Sequence, residues 1–248
     1  MKLKTKFSAL CIFLLICSGW TSKTHQMIAV KASNLTPYEL KLLIKKYKTE
    51  ILEGAIEPLK GKKDEGHYLL VDGSYGKAHL VINAQVQSIL KAMKEKRLDL
   101  PDFCRRLGVI SHYIAEVNNP VLTGDLKRNG AWFYNSFVQY TDSMLDRFAL
   151  TFDGYKNDLL ENGDYEGFVI ASAIRSAGNF DSLKNAYLAA RTKNGDYIFD
   201  EKSIPFAASS LAFNYAVTDT AKIWYYIWRD LKGDISFAPY DKNSSKAR

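Results

Sequence analysis

Apolar side chains return along most of this chain at steps of three and four, with polar residues filling the gaps. That is the period of a helix with one buried face. The first run, Gln26 to Ala32, is short. Next, Thr36-Pro37-Tyr38-Glu39 reads as a capping box with Pro at the first helical position, and Leu40, Leu43, Tyr47 and Ile51 continue one stripe to a stop at Gly54. Leu80 to Lys96 repeats the pattern through Val81, Ala84, Ile89, Leu90 and Met93. Pro101 and Asp102 open a further helix with Phe103, Leu107, Ile110, Ile114 and Val117 on its stripe, closed by Pro120. Ala131 to Leu150 carries Phe133, Phe137, Tyr140, Met144, Leu145 and Phe148, and Tyr165 to Ala177 and Asp181 to Arg191 are separated by Gly178-Asn179. The last run goes from Phe206 towards Leu231. A break is expected in it near Thr218-Asp219, where a new N-cap precedes Ile223, Trp224, Ile227 and Trp228. Those two tryptophans share a face and are assigned to the core, with Lys222 and Arg229 on the solvated side. Strand-like alternation is scarce, so the pattern predicts an all-α, many-helix globule.

One region departs from this period. Ile56 to Tyr75 is broken by Pro58, Gly61, Gly66 and Gly73, with Gly76 just beyond, and it carries His67. Such a loop is a reasonable place for ligands.

With 47% hydrophobic and 25% charged residues over 248 positions, the chain can bury a large core, and no repeat divides it. A single domain is expected over residues 20–240, followed by a polar tail, 241–248. The N-terminus reads as an export signal: Lys2, Lys4 and Lys6 precede an apolar run, Phe7 to Cys17, too short to span a bilayer. Small residues at Cys17 and Gly19 fit cleavage after Gly19, giving a periplasmic or extracellular protein that begins at Trp20. Lipidation at Cys17 is the competing reading; it wants a small residue where Ile16 stands. The cut leaves Cys104 as the one cysteine, which excludes an intrachain disulfide. It also lowers the formal charge of +7 by three, a mild excess that argues for neither nucleic acid nor membrane.

The chemistry gathers around Ser111-His-Tyr-Ile-Ala-Glu-Val-Asn-Asn-Pro120. His112 and Glu116 stand at i and i+4, so on a helix both leave one face a turn apart. Two readings fit that spacing: a shared metal ion, or a local hydrogen-bonded pair. His79 lies before an apolar helix start and reads as a capping or partly buried core residue.

Four motifs together resemble the zinc-dependent phospholipase C family, which includes secreted zinc nucleases acting on single strands. They are Trp20-x-x-x-x-His25, Gly54-Ala-Ile-Glu-Pro58, Gly66-His67-Tyr68, and Leu107 to Pro120. The resemblance implies a compact helical bundle with zinc ions in a cleft, one of them bound by the free amino group and carbonyl of a mature N-terminal Trp. It assigns Trp20, His25 and Glu116 to one zinc, and His67, His112 and Glu116 to its neighbour, with Glu116 bridging. This chain also departs from the pattern. Glu116 replaces the family's Asp, Leu122 its later His and Leu59 the Asp after the proline, while residues 131–150 contain no histidine. One or two zinc ions are therefore expected rather than three.

The expected activity is hydrolysis of a phosphodiester, with phospholipid as substrate, an assisting acid among Glu57, Asp64 and Glu65, and contact with a membrane surface. The alternative is a nuclease on the same frame, for which the Trp-x-x-x-x-His spacing is the closer match and Tyr68 and Tyr75 are candidates to stack on bases; nucleic acid is the weaker expectation as partner. The missing ligands point to a third reading, a non-enzymatic exported protein that kept the fold.

Overall fold

The computed structural model describes residues 19–61, 64–125, 131–190 and 197–233. Of the segment expected to be an export signal all but Gly19 lies outside them, as does the expected polar tail, 241–248. Helices follow in the order α1 Ser22–Asn34, α2 Tyr38–Lys46, α3 Lys48–Ile56, α4 Ala78–Lys94, α5 Leu100–Val117, α6 Pro120–Thr123, α7 Ala131–Met144, α8 Asp158–Glu161, α9 Tyr165–Ala177, α10 Phe180–Ala190 and α11 Ile204–Asp230. Among the described residues there is no strand; Leu69 and Gly76 form an isolated antiparallel bridge. The all-α expectation is borne out.

Helix α5 is the centre, packed against α1, α3, α4, α9 and α11. Asp99 starts it by accepting from the Asp102 amide at 2.8 Å. Its predicted stripe of Phe103, Leu107, Ile110, Ile114 and Val117 is buried, as are Phe133, Phe137, Trp224 and Trp228 from the helices around it. Each such side chain contributes about 1.5–3 kcal/mol by leaving water. The Trp224 indole also donates to the Leu107 carbonyl at 3.0 Å, tying α11 to α5.

The structure corrects several expectations. The stripe through Tyr47 is two helices, broken at Tyr47 (φ −109°, ψ 44°). No Gly or Pro marks the break, which lets α3 turn Ile51, Gly54 and Ala55 inward independently of α2. The capping box does not form. Pro37 caps α2 without a side-chain bond, and the Thr36 hydroxyl donates to the Ser33 carbonyl. Gly54 lies inside α3 rather than ending it. Helix α7 ends at Met144, with Tyr140 and Met144 only half-buried, and Tyr134, Val138 and Thr141 join its inner face. Helix α11 runs unbroken through Thr218-Asp219, because the Asp219 side chain turns into the core instead of capping. Lys222 is not on the solvated face: it is 8% exposed, while Arg229 is exposed as expected.

Candidate metal centre

The centre begins with two glycines that have no ligand role. A Cβ on Gly54 would stand 1.9 Å from the Arg105 carbonyl oxygen, and one on Gly108 would stand 2.3 Å from that of Ile51. Only glycine lets the backbones of α3 and α5 approach so closely. That approach carries the Ala55 carbonyl to His112, whose Nδ1 donates to it at 3.0 Å. With the proton on Nδ1, the Nε2 lone pair faces the interior. This is how a ligating histidine is commonly oriented.

The neighbours come from the same helix and from two other segments. Glu116 is one turn further along α5, with Oε1 3.5 Å from His112 Nε2. His67 comes from the irregular loop, in a 3₁₀ turn, Glu65–His67, that Asp64 caps by accepting from the Gly66 amide at 2.9 Å. Its Nδ1 lies 2.7 Å from Glu116 Oε2 and 3.4 Å from His112 Nε2. Further bonds, from the Lys77 amide to the Glu65 carbonyl (2.7 Å) and from the Ala78 amide to that of Tyr68 (3.1 Å), fix the loop to the start of α4. His25 is on α1, its ring stacked on that of His112 at 4.0 Å and 19°. The hydroxyls of Thr21 and Thr24 hold this end of α1 by donating to Asp142 Oδ1 at 2.5 and 2.6 Å.

All four groups are buried: His25 1%, His67 3%, His112 0% and Glu116 1% exposed. Burial, followed by the neighbouring His25, pushes the His112 pKa well below the ordinary imidazole range, so it is neutral at neutral pH. Neutral imidazoles beside a carboxylate form a donor set that zinc accepts. The spacing agrees. Ligand atoms about 2.0–2.1 Å from one tetrahedral ion stand roughly 3.4 Å apart. The His112–His67 and His112–Glu116 separations of 3.4 and 3.5 Å match this, whereas the 2.7 Å His67–Glu116 contact is a hydrogen bond. His25, His112 and Glu116 each present a ligand atom within 4.8 Å of the other two. The geometry thus groups His25 with His112 and Glu116.

Trp20 enters differently. Its indole is buried, donates to the Ala115 carbonyl at 2.9 Å and packs on Phe137. Gly19, one residue earlier, lies so close to Glu116 that a Cβ would be 1.9 Å from Oε1. The Gly19–Trp20 peptide is therefore at the centre's edge. Nothing in the sequence pattern marked the roles of Gly19, Gly108, Asp142 or the Ala55 carbonyl. The pattern does single out Gly54, but as a helix stop.

The other candidates lie elsewhere. Glu57 pairs with Arg105, and Glu65 with Lys77 at 2.7 Å on the surface. Leu122 is fully buried in the apolar core. His79 is half-buried and lines a separate groove with Ile170 and Ile174. The rings of Tyr68 and Tyr75 pack on one another, with centroids 5.4 Å apart. No helix among the described residues is long and apolar enough to cross a membrane.

No protein-family model matches this sequence, and no curated protein matches it either. Solved structures do match in fold. The alpha-toxin of Clostridium perfringens from an avian strain superposes with a TM-score of 0.66 at 14% identity, over 88% of this chain and 65% of that one. Alpha toxin from Clostridium absonum gives 0.64 at 16%, over 91% and 66%. The chain spans just under two thirds of either toxin. At these identities, what is shared is the compact helical bundle.

Proposed function

We propose that this chain is an exported zinc-dependent phosphodiesterase of the phospholipase C type, acting on phospholipid at a membrane surface. His25, His67, His112 and Glu116 would hold one or two zinc ions. Cleavage after Gly19 would add the amino group of Trp20, which the indole anchor keeps beside Glu116. The observation that carries this reading is the convergence of three buried imidazoles and a carboxylate, with His112 pre-oriented by Ala55 and spacings that suit ligands of one ion.

Bound zinc would supply Lewis acidity and a water acidified towards neutral pH. The chain's own contributions are distinct. The Ala55 carbonyl fixes the His112 tautomer, the turn at Asp64–His67 places the second imidazole, and the surrounding apolar core keeps the donors dry. Removing the segment through Gly19 would also uncover Glu116 Oε1, against which Gly19 packs.

The test uses protein beginning at Trp20, purified without chelator. Stoichiometric zinc by plasma mass spectrometry, together with release of phosphocholine from phosphatidylcholine vesicles, is the expected result. Zinc with nucleotide release from single-stranded DNA would move the substrate to nucleic acid; zinc-free protein would overturn the reading. A second reading, a metal-binding protein without catalysis, is favoured by Leu122, which fills core space where the resemblance calls for a ligand. Bound zinc without release of either product would support it.

A further inference from the structure

On another side of the bundle, α9, α11 and the segment after α7 enclose a cleft of about 420 Å³. Two cations line it. Arg175 reaches in from α9, its guanidinium 3.9 Å above the Tyr215 ring, and Nη2 donates to the buried Asp219 at 2.5 Å and to Asn118 Oδ1 at 3.0 Å. Its Nε and Nη1 make no hydrogen bond among the described residues. Lys222, one turn after Asp219 on α11, is as buried as much of the core, yet its ammonium pairs at 2.9 Å with Asp153, whose side chain is 76% exposed.

The two pairs are unlike. Asp219 is a permanent internal partner, with Oδ2 also accepting from Asn118 (3.1 Å) and Ser172 (2.9 Å). Asp153 lies on an irregular segment open to water, and an exposed carboxylate is a weak partner for a desolvated ammonium. The Lys222 ammonium, with a smaller contribution from Arg175, draws its carboxyl below the ordinary carboxylate range. The donors available to a ligand in the cleft are the ammonium, two guanidinium nitrogens, and the hydroxyls of Thr151 and Ser210 on the lining.

We propose that this cleft binds a small oxyanion, a phosphate or carboxylate group carrying a small polar body, between Lys222 and Arg175, and that the Asp153 carboxylate is its built-in competitor. An incoming oxyanion would replace an exposed carboxylate with one held by charge-assisted bonds from both cations, while Asp153 turns to water. The site is independent of the metal reading, since its charged residues are on α9, α11 and the 148–157 segment.

Calorimetric titration of the chain from Trp20 with inorganic phosphate, glycerol 3-phosphate and acetate, in phosphate-free buffer, tests it. One equivalent of at least one anion should bind. Asp153→Asn should tighten binding several-fold by removing the competitor, and Lys222→Arg should retain it. Lys222→Met should weaken it about tenfold or more, the scale of one lost charge-assisted bond. The three probes separate a phosphate site, a phosphomonoester site and a carboxylate site. The proposal falls if no probe binds both wild type and Asp153→Asn, or if Lys222→Met binds as wild type does. Should Lys222→Met fail to fold, the direction of the Asp153→Asn change decides alone: unchanged or weaker binding overturns the competitor role and the site with it.

Discussion

Two polar clusters are buried beside the C-terminal end of α5, two residues apart in sequence, and they solve burial in opposite ways. Around Asn118, charge is cancelled internally: Asp219 receives bonds from Arg175, Asn118 and Ser172, all on one carboxylate oxygen. Around Glu116, three imidazoles crowd a single carboxylate: His67 bonds it at 2.7 Å, while His112 stands 3.4 Å from His67 and 3.5 Å from Glu116, at the long limit for a hydrogen bond. A buried polar group costs free energy unless a partner answers it. The Asn118 cluster is answered by the chain itself and holds α5, α9 and α11 together. The Glu116 cluster gathers more lone pairs than protons, an arrangement that a cation would complete.

The largest test of this contrast is Asp219→Ala. It leaves the half-exposed Arg175 guanidinium without its anion and takes from Asn118 Nδ2 and Ser172 Oγ one of the two acceptors each has, so unfolding in urea should show a loss of up to about 3 kcal/mol, with or without metal. His112→Ala should behave differently. If zinc is held at a hundred times its dissociation constant, about 2.7 kcal/mol of linked stability disappears with the metal, so the variant's loss should be larger by about that amount with zinc than in chelator, where only the cavity and the unpaired Ala55 carbonyl remain. Glu116→Gln should also weaken zinc by removing the charge, and Glu116→Asp should retain it. A His112→Ala loss that persists unchanged in chelator would make the Glu116 cluster structural too, and the comparison would collapse.

Gly108→Ala is a smaller perturbation that acts through the frame. The added methyl would push α3 off α5 at a cost of about 1–3 kcal/mol. Because the Ala55 carbonyl rides on that contact, zinc affinity should fall as well, measurable by competition with a chelating dye.

The smallest effect concerns Cys104, on the same helix but with neither solution available. Burial, and then the charge of Glu50, raise its thiol pKa above the ordinary 9.0. The unfolded chain therefore loses this proton first as pH rises through about 9. Stability should decline there by up to roughly 1.4 kcal/mol per pH unit, and Cys104→Ser should remove that slope in a pH series of urea melts. Thiol reagents should label the chain that begins at Trp20 only on unfolding.

The class of fold was written in the period of the apolar residues, because a helix needs one face to bury and repeats it every three to four positions. That rule located α4, α5, α9 and α10 nearly to their ends and set Phe103, Ile114 and Trp224 inside. It also put His112 and Glu116 on one face, a local fact of helical geometry. It did not place the break at Tyr47 or the continuity of α11, since both depend on what the helices meet rather than on what they contain. The assembled centre was no more local. His25 and His67 reach His112 from 87 and 45 residues away, and Asp219 finds Arg175 across 44. The proton on His112 is set by a backbone carbonyl, which every residue owns and no sequence pattern distinguishes. The sequence determined which faces must be buried and which residues carry chemistry. Only the close crossing of α3 and α5 decided which lone pairs point at one another, because that depends on contacts between segments far apart in the chain.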